Sequence, residues 1–226
     1  MEQRRVIMIL AAILLLLIFT AGALFLARPA IIDGRRVAAE EKLIALIEEG
    51  HTDIGDFSAP EMEGEGTEFL EVEEELGPEF PDVASEEITG YGIIVIPAID
   101  LKMPLVRGAD SYSLRAAAGW YPDSAEMGEA GNCVIFGHRM TSYGRHFNRL
   151  DELKEGDTIF LYGTDGSSYA YEVTGSETIE PDMLMDTLRE HNEGFSLTLV
   201  TCTPKGTFTH RLLIYASLSA TEKQEG

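Results

Sequence analysis

A thiol, a guanidinium and an imidazole lie at the ends of short apolar runs, and together they could perform acyl transfer. Cys202 closes the run Leu197 to Cys202, which is β-branched and leucine-rich and reads as a mostly buried strand. Pro204 cannot donate to a sheet ladder and Gly206 tolerates turn geometry, so Pro204 to Thr209 reads as a loop. Arg211 opens the next strand-like run, Arg211 to Leu218. If the two runs neighbour each other, thiol and guanidinium face one cleft. A permanent cation there favours thiolate and supports a developing oxyanion. The remaining need is a proton carrier. His138 follows the buried run Asn132 to Gly137, and imidazole titrates near neutral pH. A Cys and a His distant in sequence but able to meet in space are the usual pattern of an activated thiol. The plainer reading makes His138 a solvated polar residue and Arg211 a salt-bridge partner. Among the other histidines, His146 could approach the cleft but precedes a packing run. On a strand His210 faces away from Arg211, and His51 and His191 fall in loop or spacer.

The elements that must position these groups are mostly strands. Gly92 to Pro97 and Asp100 to Val106 read as two, with Pro97 and Pro104 at breaks or edges. Ser111 to Ala118 reads as a short helix, Trp120 to Gly131 as loop, and Phe147 to Leu153 as a helical turn. Asp157 to Tyr162 and Tyr169 to Thr174 make a hairpin around Thr164-Asp165-Gly166, and Pro181 to Glu190 a short helix. Many short strands and few helices over about 130 residues predict a closed or nearly closed β-barrel.

Charge narrows the partners. The formal net charge is −22, which excludes nucleic acid, because that ligand needs clustered Lys and Arg. The acidity is local: 16 of the 39 acidic residues lie between Glu48 and Glu87, with no Lys or Arg among them. Thr52 to Glu87, rich in Gly and Pro, reads as an extended solvated spacer. The alternatives are a lid over the cleft or a weak calcium-binding surface. The chain holds two cysteines, Cys133 and Cys202. They could form one disulfide, or Cys133 could be a small buried hydrophobe beside a working Cys202. No zinc-ligand or EF-hand spacing occurs, and no metal or other cofactor is implied.

Val6 to Ala27 is 22 residues without a charge, against roughly 20 needed to cross a bilayer core. That is longer than the usual secretory h-region of about 7–15 residues, so a retained anchor is expected rather than a cleaved signal. Arg4 and Arg5 precede it and favour a cytoplasmic N-terminus. Asp33 to Glu49 carries Val37, Leu43, Ile44 and Ile47 at near-helical spacing and reads as a stalk helix leaving the membrane. The expected order is a cytoplasmic stretch (1–5), an anchor (6–27), and a juxtamembrane helix with acidic spacer or lid (28–90). A catalytic domain (91–219) and a tail (220–226) follow.

Taken together these residues resemble a known family. Leu197-Thr198-Leu199-Val200-Thr201-Cys202 followed by Arg211 is similar to the sortase signature Thr-Leu-x-Thr-Cys…Arg. Val134-Ile135-Phe136-Gly137-His138-Arg139 resembles the sortase histidine motif. Ile96-Pro97-Ala98-Ile99, Phe147-Asn148-Arg149-Leu150 and Leu153-Lys154-Glu155-Gly156-Asp157 agree at the flanks. The resemblance covers Gly92 to Leu218. It implies an eight-stranded all-β barrel with short helices and a cell-envelope cysteine transpeptidase. Such an enzyme cleaves a Leu-Pro-x-Thr-Gly-like sorting signal on secreted proteins through a thioacyl intermediate. An amine of cell-wall peptide or a pilin lysine resolves it. On that pattern Cys202 is the nucleophile, His138 the general acid and base, and Arg211 the oxyanion and substrate support. The protein would be single-pass in the cell membrane with its catalytic domain outside. Thr203-Pro204-Lys205-Gly206 and Thr209 to Leu213 look most like the pilin-polymerising class C. That class usually carries an Asp-Pro-aromatic lid anchor and often a C-terminal span, and neither is found here, which leaves room for a class D or E-like enzyme. Two other functions compete: a hydrolase of the same fold that uses water as acceptor, and a non-enzymatic anchored β-domain whose acidic leader binds a partner.

Overall fold

The computed structural model describes residues 10, 13–20, 22, 37–50, 88–109, 113–115, 117–139, 146–207 and 209–223. Residues 1–38 and 39–226 form two compact units. In the first, residues 10, 13–20 and 22 are helical, and Leu14 to Phe19 are exposed. Among the described residues no helix is long and apolar enough to cross a membrane. The rest of the anchor stretch, and all of the acidic spacer between residues 51 and 87, lies outside the described residues.

The second unit holds eight strands: β1 (Thr89–Ile96), β2 (Leu101–Arg107), β3 (Ala118–Trp120), β4 (Gly131–Phe136), β5 (Thr158–Gly163), β6 (Ser167–Ile179), β7 (Phe195–Thr203) and β8 (His210–Lys223). They close in the order β1-β2-β3-β4-β7-β8-β6-β5, with β1 paired to β5. Two neighbours run parallel, β2 with β3 and β4 with β7, and the others antiparallel. Pro104 falls where β3 does not reach, so its missing N–H interrupts no ladder to that strand.

Alternation along the strands builds two layers of core. Ile94, Ile96, Ile135, Leu197, Leu199 and Ile214 point inward and fill the barrel. Val134, Phe136, Val200 and Leu213 point outward and pack under Leu184 and Leu188 of the short helix Leu184–Glu190. Burial on both faces is why β1, β4 and β7 read as continuous apolar runs rather than as alternating ones.

Three expectations are corrected. The helix expected as a stalk is helical over residues 37–48, and from Ala39 on it lies on the barrel wall. Leu43 and Ile47, one turn apart, are buried against Ile88, Ile93 and Val106 on the outer face of β1 and β2. Burying two such side chains stabilises the contact by about 3–6 kcal/mol, more than a solvated stalk could forgo. The Lys102–Glu48 ion pair at 2.8 Å adds little, being half exposed. The expected tail at 220–226 begins later, because β8 continues to Lys223 along its long partner β6. Within the stretch expected as helix and loop lies the short strand β3. Its Gly119 sits so close to the Gly108 carbonyl that a Cβ there would be 2.2 Å from that oxygen.

Candidate active site

β7 and β8 pair antiparallel in a register that sets Cys202 directly opposite Arg211. Directly opposed residues share a face, so thiol and guanidinium emerge together. Cys202 is two residues past Val200 and Arg211 two before Leu213, so both belong to the outward face. β4 lies on the other side of β7, parallel, with Phe136 opposite Val200. The Gly137 N–H donates to the Val200 carbonyl at 3.1 Å. His138 follows Gly137 directly, and Cys202 stands two residues past Val200. The three predicted residues thus stand at the same end of three adjacent strands. All three are deeply buried: Cys202 5%, His138 2% and Arg211 4% exposed.

Their chain neighbours fix the arrangement. The Thr201 hydroxyl donates to the Gly137 carbonyl at 2.7 Å. The Arg139 guanidinium donates from Nη1 to Thr203 Oγ1 at 2.9 Å, and its Nη2 lies 2.7 Å from Asp151 Oδ1. Residues on both sides of the cysteine are therefore bonded to residues on both sides of the histidine. Gly137 is required here for space: a Cβ would lie 2.6–2.8 Å from the Phe147 ring. Phe147 is fully buried, and its N–H donates to the His138 carbonyl at 3.1 Å, which ties the histidine to the 3-10 turn His146–Glu152.

The second cysteine has the opposite environment. Cys133 pairs with Leu197 and sits in the barrel interior, 1% exposed. Burial, and then the charge of Glu126, push its thiol far above the ordinary range. No disulfide joins Cys133 and Cys202, so the disulfide alternative is set aside. The other histidines have structural partners. His146 is buried with φ 44°, its Nε2 2.7 Å from Glu40 Oε1 on the docked helix. His210 Nε2 lies 3.1 Å from Glu180 Oε1, and the His191 ring stacks on Tyr215 with centroids 4.0 Å apart. His51 lies outside the described residues. Sequence reasoning quoted Arg139 in a motif but gave it no role, and it passed over Asp151. Only the burial of Arg139 and its long-range bonds to Thr203 and Asp151 mark them out.

Comparison with known proteins agrees with the geometry. The sequence profile of the family described as Sortase domain matches residues 94–219. Sortase A of Bacillus anthracis is 26% identical over 228 aligned residues, covering 100% of both chains. Sortase D of Bacillus subtilis is 34% identical over 127 residues, 55% of this chain and 61% of its own length. The crystal structure of Streptococcus pneumoniae sortase C, described in terms of catalysis and pilin substrate specificity, superposes with a TM-score of 0.52 at 33% identity. That match covers 59% of this chain and 71% of the other.

Proposed function

This chain belongs to the sortase family, whose members are cysteine transpeptidases, and from that premise we propose which of its residues act and on what. Cys202 is the nucleophile. Its thiolate attacks the Thr carbonyl of a Leu-Pro-x-Thr-Gly-like signal. The C–N bond to the following Gly breaks, and His138 delivers the proton that lets the amine leave. The acyl group stays on sulfur until an acceptor amine attacks. His138 takes the proton of that amine, and the new amide leaves with the thiolate restored. Arg211 holds the tetrahedral oxyanion and the substrate carbonyls. The observation that carries this reading is the register of Cys202 opposite Arg211, with His138 just past the end of the parallel neighbour β4, whose Gly137 N–H bonds the Val200 carbonyl.

The acceptor is an amine of cell-wall peptide or of a pilin lysine, and the substrates are secreted proteins with a C-terminal sorting signal. The 22 uncharged residues Val6 to Ala27 support a single-pass anchor with the barrel outside the cell. The test uses purified protein, a sorting peptide and an added amine, with products separated by mass. Joined peptide supports transpeptidation, whereas free acid alone in the presence of amine marks a hydrolase. Joining retained by Cys202→Ala would end the proposal.

A further inference from the structure

The buried guanidinium next to the histidine is unexplained by the proposed reaction. Arg139 is 4% exposed, and a buried cation is costly unless paired and hydrogen-bonded. Its Nη1 reaches Thr203 Oγ1 at 2.9 Å and its Nη2 reaches Asp151 Oδ1 at 2.7 Å. Its Nε is buried with no hydrogen-bond acceptor among the described residues. An arginine that is only partly satisfied is a poor device for stability alone. What it does achieve is geometric. Thr203 follows Cys202 and Arg139 follows His138, so one side chain spans from the residue after the acid to the residue after the nucleophile. Asp151 anchors the fork to the 3-10 turn that also holds the His138 carbonyl through Phe147. On the other side the Thr201–Gly137 bond makes the matching rung. β4 ends at Phe136, so beyond Gly137 no sheet ladder holds the histidine at its distance from β7.

We infer that Arg139 is a positioning residue: its guanidinium, shared between Thr203 and Asp151, sets the separation and orientation of the Cys202–His138 pair. It touches no reacting atom and acts through its neighbours. The assignment rests on the Cys202–His138 reading of the site. A planar fork with two fixed donors suits this, and a lysine ammonium cannot reproduce it.

The experiment compares Thr203→Val and Arg139→Lys with the wild-type chain. Thr203→Val replaces a hydroxyl by a methyl and removes only the acceptor. The first readout needs no sorting peptide: the rate of Cys202 alkylation by iodoacetamide across pH, located by mass spectrometry. Its midpoint belongs to the coupled thiol–imidazole pair. In both variants it should move toward the free-thiol value of about 8.5. The second readout is peptide joining. There kcat should fall about tenfold while KM stays within about twofold, as expected when orientation rather than binding is lost. Unchanged midpoint and kcat in folded variants overturn the inference. So does a lowered melting temperature with a wild-type midpoint, which marks a merely structural role. If Arg139→Lys does not fold, Thr203→Val alone decides. A midpoint that moves while even the wild-type protein joins no peptide supports the positioning role and sinks the transpeptidase reading instead.

Discussion

β4 and β7 each carry one cysteine, and the two meet opposite fates because they stand on opposite faces of the same wall. Cys133 points into the barrel among Ile135, Leu197 and Leu199, where burial holds its proton. Cys202 stands on the outward face, past Val200 and opposite a buried arginine. The thiols have the same chemistry. What differs is whether the charged form has a partner. A thiolate in the interior would be an unpaired charge in a low dielectric, and a thiolate at the strand end is offered a cation. Facing direction, a period-two property of the strand, thus decides which sulfur is offered a cation.

The comparison is broken most directly by exchanging the cysteines for alanine. Cys202→Ala should lower peptide joining by about 10,000-fold or more, the scale seen when a nucleophile is removed. Cys133→Ala should leave kcat within about twofold and act only on the melting temperature. Equal losses of activity would mean that both faces matter to catalysis. Next in size is Arg211→Ala. Losing an oxyanion donor costs about 100- to 1,000-fold in kcat, and the same steady-state assay reads it. A loss confined to KM would instead make Arg211 a substrate-binding group with no special hold on the transition state.

The inner face should fail through stability. Leu199 is fully buried in the barrel, and Leu199→Ala should cost about 2–5 kcal/mol in urea unfolding. Folded Leu199→Ala protein should still alkylate at Cys202 with the wild-type pH midpoint. A changed midpoint would show that the interior layer tunes the site.

The smallest effect lies at Glu126. Its carboxyl is held below the ordinary carboxylate value. Burial opposes this, but hydrogen bonds from Arg107 and Tyr91 outweigh it. A depressed folded-state value means stability that is present above the ordinary carboxylate value of 4.5 and lost as pH falls through the lower folded value. Glu126→Gln should therefore melt slightly below wild type at pH 7, and the two curves should converge in acid. A gap that persists at low pH would assign the effect to packing. Arg107 lies 4.4 Å from the Tyr91 ring centroid and 4.9 Å from that of Trp120, so the carboxylate also orders a cation–π stack.

Much of this was legible in the residues. The strands β1, β4, β5, β7 and β8 announce themselves by apolar runs bounded by Gly, Pro or turn residues. Cys202, His138 and Arg211 stand at their ends. β3 gave no such signal: Ala-Gly-Trp is three residues long, and it becomes a strand through its register with β2 and β4. The helix over 37–48 showed its apolar spacing, but not the wall that receives it. Spacing reports which face is apolar and says nothing of the surface opposite.

The boundary between the two kinds of information is physical. Sequence by itself determined local preference and alternation: which stretches extend, where they break, and that the thiol, imidazole and guanidinium fall at strand ends. Local sterics and the two-residue period operate within a few neighbours along the chain. Tertiary structure alone decided that Arg211 faces Cys202, that Cys133 is enclosed, and that Arg139 spans to Thr203 and Asp151. Those facts follow from register and closure between segments up to 64 residues apart. A guanidinium does not reveal from its own position in the chain which distant oxygen it will meet.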